Sequence, residues 1–311
     1  MQSSMHGSGR DFAAEFFVAP HAPINVEFGA ASHVGLVRTG NEDHFGVFRR
    51  IRAQEALLTN LASHDAPPFA HEDAIFGQIV TTYFFVVADG MGGGAAGEIA
   101  SRVAIQSAFD LADRASSWVM RLKNLPAQQA QQRIEAYITE MHRTLRAMGE
   151  SDPNLAGMGT TWTSAYLIGW DVVIVQIGDS RAYLWRRGEL RQITRDQTLA
   201  QVLIDRGIPP EQAGHARNIL TNALGGQNEF VFPAIIHRVL EPGDRLLLCT
   251  DGLTSEVSDS EIAEVLARPS LPQAICDSLI ELALDHGGHD NVTVVLAEVS
   301  RHSPADTDPT S

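Results

Sequence analysis

FFVVADGMGGGAAGEIAS, residues 84–101, joins a strand pattern directly to a helix pattern. The residues from Phe84 to Ala88 are apolar and rich in aromatic and β-branched side chains, which is typical of a buried strand. Asp89 and Gly90 come next, then a run of glycines, and a helix pattern starts near Ala95. A carboxylate at the end of a buried strand, beside glycine backbone, suits a hard cation or a phosphate. Because a single Asp-Gly pair is also common in ordinary turns, the interpretation depends on partners elsewhere in the chain.

The composition indicates a soluble globular protein with one large domain or two small ones. The chain has 311 residues, of which 44% are hydrophobic and 20% are charged. It is therefore long enough to form a stable hydrophobic core without disulfide bonds. Its formal net charge of -15 argues against non-specific nucleic-acid binding and against docking on an anionic membrane, since both need a basic face. An anionic substrate is compatible with this charge, because bound divalent cations reverse the local sign at a carboxylate-rich site.

The cysteines and the N-terminal segment predict a cytoplasmic protein. Cys249 and Cys276 are the two cysteines, and they form no CxxC pair, which is typical of a reduced intracellular protein without a zinc knuckle. The first residues, MQSSMHGSGRDFAAEFF, lack a basic region followed by a long apolar run, so we expect no signal peptide. No apolar run approaches the roughly 20 residues that a membrane helix needs.

Three segments lack the periodic pattern of a packed element. Residues 1–30 predict a flexible N-terminal arm with a short strand near Ile24–Phe28, and residues 301–311 predict a disordered tail. Residues 51–78 contain adjacent prolines and several acids, and we expect an inserted loop there that is either solvated or partner-binding. The folded domain is therefore expected over residues 31–300.

The rest of the chain consists of groups of strand patterns and groups of helix patterns. Strand patterns HVGLV and HFGVFRR, joined by RTGNED, occupy residues 33–50, and hairpin-like strands fill residues 160–186. Further strands are predicted at PAIIHRVL, DRLLLCT and NVTVVLAEV, and helices at residues 96–114, 127–148, 196–206, 259–267 and 272–286. Short strands joined by hairpins imply antiparallel sheets, and paired helices imply an α+β layered domain rather than a parallel βαβ fold.

Acidic residues stand at the ends of several strand patterns. Asp89, Asp179 and Asp251 each follow an apolar strand pattern, while Asp290 and the pair Glu42-Asp43 each precede one. An all-oxygen set of carboxylates favours Mg²⁺ or Mn²⁺ over zinc or copper, because these hard ions prefer carboxylate, carbonyl and water ligands. The nearest competing motif is HGGH at residues 286–289, and a flexible loop leading into Asp290 is the preferred interpretation of it.

Seven segments, taken in chain order, resemble the metal-dependent serine/threonine protein phosphatases of the type 2C class, in their bacterial form. They are RTGNED (38–43), DGMGG (89–93), GTTWTSAYL (159–167), IGDSRAYL (177–184), LTNALG (220–225), CTDGL (249–253) and DNVTVV (290–295). The resemblance implies a four-layer αββα sandwich, in which two antiparallel β-sheets are flanked by helix pairs. It also implies a type 2C-like phosphatase domain over residues 31–300, with a flap at residues 195–230.

The resemblance implies a metal-binding role for the aspartates at the strand ends. Asp89 resembles the carboxylate that bridges two metal ions, and Asp251 and Asp290 resemble the other carboxylates of the first metal. Asp179 resembles the residue that, together with Asp251, holds a weaker third ion. The implied cofactors are therefore two or three Mn²⁺ or Mg²⁺ ions.

The RTGNED segment and the residue after Asp89 carry further implied roles. Glu42 and the carbonyl of Gly90 resemble ligands of the second metal, with Asp43 acting through a water. Arg38 resembles the arginine that binds the substrate phosphate, a role for which its planar guanidinium is well suited.

The implied reaction is hydrolysis of phosphoserine or phosphothreonine in a protein, by one-step in-line attack of a metal-bridging hydroxide. Arg38 and Asp89 would be the catalytic residues, and Ser180 is interpreted as a turn residue rather than a nucleophile. The implied partners are a phosphorylated protein substrate and a cognate serine/threonine kinase. Two alternatives are a pseudophosphatase that acts as a regulatory binding module, and a phosphatase of small metabolites, since fold alone does not determine substrate.

Four positions depart from the family pattern. Gly94 stands where bacterial members often have histidine, and Met91 where eukaryotic members often have one, so the proton donor is unassigned between a metal-bound water and nearby His44. Gln197 stands where histidine is common, and Asn222 where many members have arginine. Both lie in or beside the flap and bear on substrate preference.

Overall fold

The computed structural model describes residues 24–52, 80–92, 95–119 and 127–301. The short strand predicted near Ile24–Phe28 is present but longer, because β1 runs from Ile24 to His33, so the N-terminal arm predicted over residues 1–30 does not extend to residue 30. Likewise, residues 51 and 52 end a strand and Arg301 ends the last one, so the predicted loop and tail begin later than expected. The remaining residues of the arm, the inserted loop and the tail lie outside the described residues, as does Gly94.

Each strand predicted after Asp43 is present in the described part of the chain, and the short strands β8 and β9 were not predicted. They are β1 (Ile24–His33), β2 (Asp43–Arg52), β3 (Val80–Met91), β4 (Gly159–Thr160), β5 (Trp162–Ile168), β6 (Asp171–Ile177), β7 (Arg181–Arg186), β8 (Glu189–Gln192), β9 (Leu224–Gly225), β10 (Ala234–Val239), β11 (Arg245–Cys249) and β12 (Val292–Arg301).

The predicted helices are also present, with ends shifted by a few residues. The helices of the described chain are α1 (Ala95–Val119), α2 (Ala127–Ser151), α3 (Leu199–Asp205), α4 (Pro210–Ala213), α5 (Asp251–Thr254), α6 (Asp259–Leu266) and α7 (Pro272–Asp285). Helix α6 begins with a capping box, in which the Ser258 side chain accepts from the Glu261 amide and the Glu261 carboxylate accepts from the Ser258 amide. Pro272 starts α7 at the position where its missing N–H is not needed.

Two antiparallel sheets form the centre of the fold, which confirms the predicted α+β class. The first sheet has the strand order β1-β12-β11-β7-β8. The second has the order β10-β6-β5-β3-β4-β9, with β2 paired to β3. The predicted hairpin of β5 and β6 is present. The hairpin predicted between β6 and β7 is wrong, because these two strands belong to different sheets. Strand β7 pairs instead with β8, which no sequence pattern predicted.

Three apolar layers separate the sheets and the helices, giving the four-layer arrangement. Residues of both sheets, including Phe85 and Leu248, form the layer between the sheets. The second sheet packs on α1 and α2 through residues such as Val86 and Met141. The first sheet packs on α5, α6 and α7 through a cluster that contains Leu247 and Ile262.

The alternation of side chains along β3 decides which way its terminal carboxylate faces. Phe85 and Val87 belong to the layer between the sheets, whereas Val86 and Ala88 belong to the layer against the helices. Since successive strand residues point to opposite faces, Asp89 continues the inter-sheet face. The strand register pairs Asp89 with Asp43 of β2, so two carboxylates meet at one end of the sandwich.

The strand predicted at HVGLV is wrong, because residues 34–42 form a loop between β1 and β2. Gly35 has φ +81°, a left-handed backbone conformation that ends a strand and that glycine adopts without strain. Leu36 and Val37 are exposed, and the Leu36 amide donates to the carbonyl of Gly288 at 2.7 Å. The apolar pattern of this segment therefore reflects a surface loop and not a packed strand.

Candidate metal centre

Five aspartates from different parts of the sequence lie at one end of the sandwich. Asp43 and Asp89 face each other on β2 and β3. Asp251 begins α5 directly after β11, Asp290 lies just before β12, and Asp179 lies in the turn between β6 and β7. Each of the other four contributes to the electrostatic environment of Asp89. Strand ends of both sheets therefore form a single acidic cluster.

Asp43 is buried with one carboxylate oxygen hydrogen-bonded and one without a hydrogen-bond partner in the described residues. Its Oδ2 accepts from the hydroxyl of Thr250 at 2.8 Å, whereas no hydrogen bond satisfies its buried Oδ1. Burial, reinforced by the charges of Asp251 and Asp290, raises the pKa of Asp43 to about 7, although nearby hydroxyls oppose the shift. A buried acceptor without a partner is costly, and a cation or its bound water would satisfy it.

Asp89 lies close enough to Asp251 for each carboxylate to affect the ionisation of the other. Burial is the main cause that raises the pKa of Asp89 well above its ordinary value, and the charge of Asp43 is next. The pKa of Asp251 is also raised by burial and then by Asp290. Divalent cations would offset this repulsion between the carboxylates.

Asp179 extends the acidic cluster toward the flap. It is buried, and desolvation, followed by the charges of Asp251 and Asp196, raises its pKa to about 7. The backbone next to Asp179 contacts residues of the predicted flap. The predicted proximity of Asp179 to Asp251 is therefore present in the structure.

The carboxylates do not form a ready-made metal cage. In the described ranges, no three acidic, histidine or cysteine side chains converge closely enough to hold an ion by themselves. A Mg²⁺ site does not require such a cage, because this ion keeps several waters and binds through one or two carboxylates. The all-oxygen donor set and the unsatisfied oxygen of Asp43 fit hydrated hard cations of this kind.

Glu42 lies where the loop after β1 meets the first turn of α1. Its carbonyl accepts from the Gly90 amide at 3.2 Å and from the Ser101 hydroxyl at 2.6 Å. Its carboxylate lies directly over Gly97, where a Cβ atom would overlap Glu42 Oε2. The N-terminal end of a helix favours negative charge, so α1 helps to hold this carboxylate near Gly90.

Arg38 lies at the rim of the acidic cluster with an exposed side chain. Its Nη2 donates to Asp290 Oδ2 at 2.7 Å, and this bond raises the pKa of the guanidinium, with smaller contributions from Glu42 and Asp89. One contact to Asp290 leaves the other N–H donors of the guanidinium for an anion. The predicted arginine and the predicted carboxylates are thus brought together.

Asn291 is a structural member of the site that the sequence interpretation missed. Its Oδ1 accepts from the Glu42 amide at 2.8 Å, and its Nδ2 donates to the carbonyls of Val34 and Gly40, each at 2.9 Å. These bonds hold the loop that carries Arg38 and Glu42. Its position directly after Asp290 was the only sequence signal, since the loop it binds is far away in the chain.

Threonine hydroxyls also support the acidic residues and were missed. Thr161 Oγ1 accepts from the Asp89 amide at 3.0 Å, and the Thr161 amide donates to the Asp89 carbonyl at 2.9 Å. Thr250 bonds to Asp43, and its Oγ1 also accepts from the Thr293 amide at 3.0 Å. Strand alternation after Leu248 and before Val295 places Thr250 and Thr293 on the inter-sheet face, a signal that could have found them.

His44 is directed away from the acidic cluster. It follows Asp43 on β2 and so occupies the opposite face, where its Nδ1 lies 2.9 Å from the hydroxyl of Ser101 on α1. Burial lowers the pKa of its imidazole. The structure therefore does not support His44 as the proton donor.

The chain belongs to the protein phosphatase 2C family, whose sequence profile matches residues 63–278. The serine/threonine protein phosphatase PstP of Mycobacterium tuberculosis is 40% identical over 287 residues, which are 91% of this chain and 47% of PstP. The chain thus spans about half the length of that relative. The serine/threonine phosphatase Stp of Listeria innocua is 37% identical over 272 residues, covering 85% of this chain and 92% of Stp.

A solved structure shares the fold described above. The crystal structure of the catalytic domain of PstP in complex with two manganese ions has a TM-score of 0.66 and 36% sequence identity. The match covers 89% of this chain and 100% of that one. The family and the two-sheet fold predicted from the sequence are thereby confirmed.

Proposed function

We propose that the chain hydrolyses phosphoserine and phosphothreonine in proteins, using two or three Mn²⁺ or Mg²⁺ ions. The observation that carries this proposal is the acidic cluster itself, with Arg38 at its rim. Buried carboxylates that repel one another favour binding of cations, and cations next to an arginine form a site for a phosphate dianion. The relatives named as serine/threonine phosphatases support the same substrate class.

The proposed metal ligands are those that the sequence indicated. Asp89 would bridge two ions because it is central in the cluster, and Asp251 and Asp290 would complete the first site. Glu42, the Gly90 carbonyl and, through water, Asp43 would hold the second ion, and Asp179 with Asp251 a weaker third. When bound, such ions neutralise phosphoryl oxygens and lower the pKa of a bound water toward neutrality. The PstP catalytic domain, crystallised with two manganese ions, supports the use of two such ions.

Arg38 binds and orients the substrate phosphate in this proposal. Its contact with Asp290 fixes the guanidinium at the rim, and the planar group presents paired N–H donors that match two phosphate oxygens. A bound phosphate group held in this way is oriented for attack from the side of the acidic cluster. Arg38 thus contributes position as well as charge.

The side chains disfavour a covalent route. Cys249 and Cys276 are buried, and burial raises the pKa of each thiol to about 12, so neither forms a nucleophilic thiolate. Ser180 is also buried, and its Oγ lies 2.7 Å from the hydroxyl of Thr161. We therefore infer direct attack of water on phosphorus, in which the new P–O bond forms as the bond to the serine or threonine oxygen breaks. Phosphate and the protonated hydroxyl side chain are then released in one step.

Phosphate release from a phosphothreonine peptide tests the proposal. We expect turnover with Mn²⁺ or Mg²⁺ and none after addition of chelator, because the carboxylates need cations to accept a phosphate. Absence of turnover with both metals would instead favour a regulatory module without activity. If p-nitrophenyl phosphate and small metabolites are hydrolysed but no phosphopeptide is, the protein-substrate assignment is wrong.

The proposed chemistry also implies a kinase and a compartment. A serine or threonine phosphomonoester in a protein is made by a serine/threonine kinase, so we infer that such an enzyme supplies the substrate.

The buried cysteines are free thiols, which supports a reducing compartment such as the cytoplasm. Of the helices in the described ranges, none is long and apolar enough to span a bilayer. Cell fractionation with an antibody against the chain tests the location.

A further inference from the structure

The turn that carries Asp179 is anchored on one side by the second sheet. The Ser180 hydroxyl lies 2.7 Å from that of Thr161, and Thr163 Oγ1 donates to the Ser180 carbonyl at 2.8 Å. Before Asp179 in the chain, Gln176 Nε2 of the same sheet donates to the Gly178 carbonyl at 3.1 Å. These contacts hold the two residues that flank Asp179.

The other side of the same turn is held by Gln197 at the start of the flap. The Gly178 amide donates to Gln197 Oε1 at 2.8 Å, and the Gln197 amide donates to the Gly178 carbonyl at 3.0 Å. Gly178 has φ +96°, a backbone conformation that residues other than glycine rarely adopt. These two hydrogen bonds therefore hold both peptide groups of Gly178: the Gln197 side chain binds the N–H of the peptide before Gly178, and the Gln197 amide binds the carbonyl of the peptide that leads into Asp179.

Asn222 holds the Gln197 side chain in place. Its Nδ2 donates to Gln197 Oε1 and to the Phe232 carbonyl, both at 2.7 Å. Its Oδ1 accepts from the Phe232 amide at 3.3 Å, and the neighbouring Thr221 amide donates to the Gln197 carbonyl at 2.8 Å. Asn222 is buried, so an unsatisfied amide there would be costly. The two amide side chains thus connect both ends of the flap to the Asp179 turn.

We propose that Gln197 and Asn222 are positioning residues that orient Asp179 for the weakest cation site of the proposed phosphatase. This inference rests on the proposed function, because the cation that Asp179 would bind takes part in the proposed reaction. These two residues are also the two flap positions at which the sequence departs from the family pattern. Their mutual hydrogen bond makes them a matched pair, and a change at one is expected to disturb the other.

Hydrogen bonds that orient metal ligands have large effects on affinity. Loss of such a partner typically weakens metal binding roughly 10- to 100-fold. In this chain the effect acts through the Gly178 peptide, so we expect it at the site that uses Asp179 and not at the sites that use Glu42 and Asp290.

The test compares three substitutions in the full chain by calorimetric titration with Mn²⁺. Gln197→Met removes the oxygen acceptor at similar size, whereas Gln197→Glu keeps a carboxylate oxygen that accepts from Gly178 and Asn222. Gln201→Met is the matched control, because Gln201 lies in the same flap and its Nε2 bonds at 3.0 Å to exposed Asp205. We expect Gln197→Met to weaken the weakest Mn²⁺ site about tenfold or more and Gln201→Met to match the unmodified protein. Gln197→Glu should not weaken the site, because it keeps the acceptor and adds a negative charge that favours cation binding.

A second readout needs neither metal nor turnover. In the metal-free protein, amide hydrogen exchange of a peptide spanning residues 176–181 is expected to speed up in Gln197→Met, since the Gly178 amide loses its acceptor. If Gln197→Met does not show the cooperative unfolding of a folded protein, Asn222→Leu replaces it. We expect Asn222→Leu to weaken Mn²⁺ binding and to speed up exchange in the same peptide, but to a smaller extent.

The outcomes separate this inference from the proposed function. Unchanged Mn²⁺ binding and exchange in Gln197→Met, or an equal loss in Gln201→Met, would overturn the positioning role. Absence of phosphate release by a protein that binds Mn²⁺ would overturn the proposed function alone, because binding and exchange still report on the Asp179 turn.

Discussion

Individual carboxylates at the site differ in what they contact, and this predicts different roles. Asp89 experiences the charges of all four other aspartates of the cluster. Asp179 interacts mainly with Asp251 and with Asp196 on the flap side. Removal of the central carboxylate should therefore disturb the whole cluster, and removal of the peripheral one only its edge.

Asp89→Asn is expected to abolish phosphate release from a phosphothreonine peptide, whereas Asp179→Asn is expected to weaken it. Loss of cation charge stabilisation worth several kcal/mol corresponds to a decrease of about 100-fold or more for Asp89→Asn. A smaller decrease, partly restored by more Mn²⁺, is expected for Asp179→Asn. Initial rates against Mn²⁺ concentration measure both. Equal and unrecoverable losses in the two variants would contradict the separate roles.

At the scale of secondary structure, the first turn of α1 and the β2–β3 hairpin form one unit. Gly90 and Gly97 pack so closely that a Cβ on Gly90 would overlap the Gly97 carbonyl, and it would also lie 2.7 Å from the Glu42 carbonyl oxygen. A Cβ on Gly97 would overlap Glu42 Oε2 and lie 2.9 Å from the Gly90 carbonyl carbon. The absence of side chains at these positions therefore allows helix, hairpin and Glu42 to meet.

Gly97→Ala is expected to weaken Mn²⁺ binding because it displaces the Glu42 carboxylate. The gain in helix propensity, about 1 kcal/mol, is opposed by the contact with Gly90, so we expect no increase in stability. Calorimetric titration and thermal unfolding measure the two effects. Gly214→Ala is the control, since a Cβ there meets no atom within 4 Å. Normal Mn²⁺ affinity in Gly97→Ala would show that Glu42 is not held by this contact.

For the whole molecule, the site couples the two sheets. Asp43 and Asp89 come from the second sheet, whereas Asp251 and Asp290 adjoin strands of the first. The apolar layer between the sheets holds these carboxylates together at its end. Mutual repulsion of the carboxylates opposes this packing when they are ionised, and bound cations remove the repulsion.

The free energy of unfolding of the metal-free protein is expected to fall as the pH rises toward neutrality. The folded-state pKa of Asp43 and Asp179 is raised to about 7, above the ordinary value, so the folded state binds more protons than the unfolded state. The stabilisation from these groups is complete below pH about 4 and is lost as the pH rises through about 7. Urea unfolding between pH about 5.5 and about 7.5 measures this slope.

The same series with saturating Mn²⁺ is the control. Bound cations favour the ionised carboxylates, so the decrease attributed to Asp43 and Asp179 should disappear. Mn²⁺ at about 100 times its Kd should also add roughly 2.7 kcal/mol for each independent site. An identical pH slope with and without Mn²⁺ would contradict the assignment, because His44 and His142, whose pKa values burial lowers, contribute equally to both series.

Much of the fold could be predicted because its signals are local. The turn residues between short strands predicted antiparallel hairpins, and the helix patterns at residues 259–267 and 272–286 agree with α6 and α7 within two residues. The strand at HVGLV was wrong because local hydrophobicity does not reveal the left-handed backbone at Gly35 or the exposure of Leu36 and Val37. Likewise, the first part of β1 has weak periodicity, and its pairing with β12 comes from the opposite end of the chain.

The sequence by itself determined that carboxylates stand at strand ends and that the donor atoms they offer are all oxygen. Only the tertiary structure decided that Glu42 lies over Gly97, that Asn291 holds the Arg38 loop, and that Gln197 and Asn222 contact the Asp179 turn. The reason is physical. Periodicity and turn chemistry act between near neighbours, whereas these contacts join segments whose approach depends on the packing of two sheets and their helices.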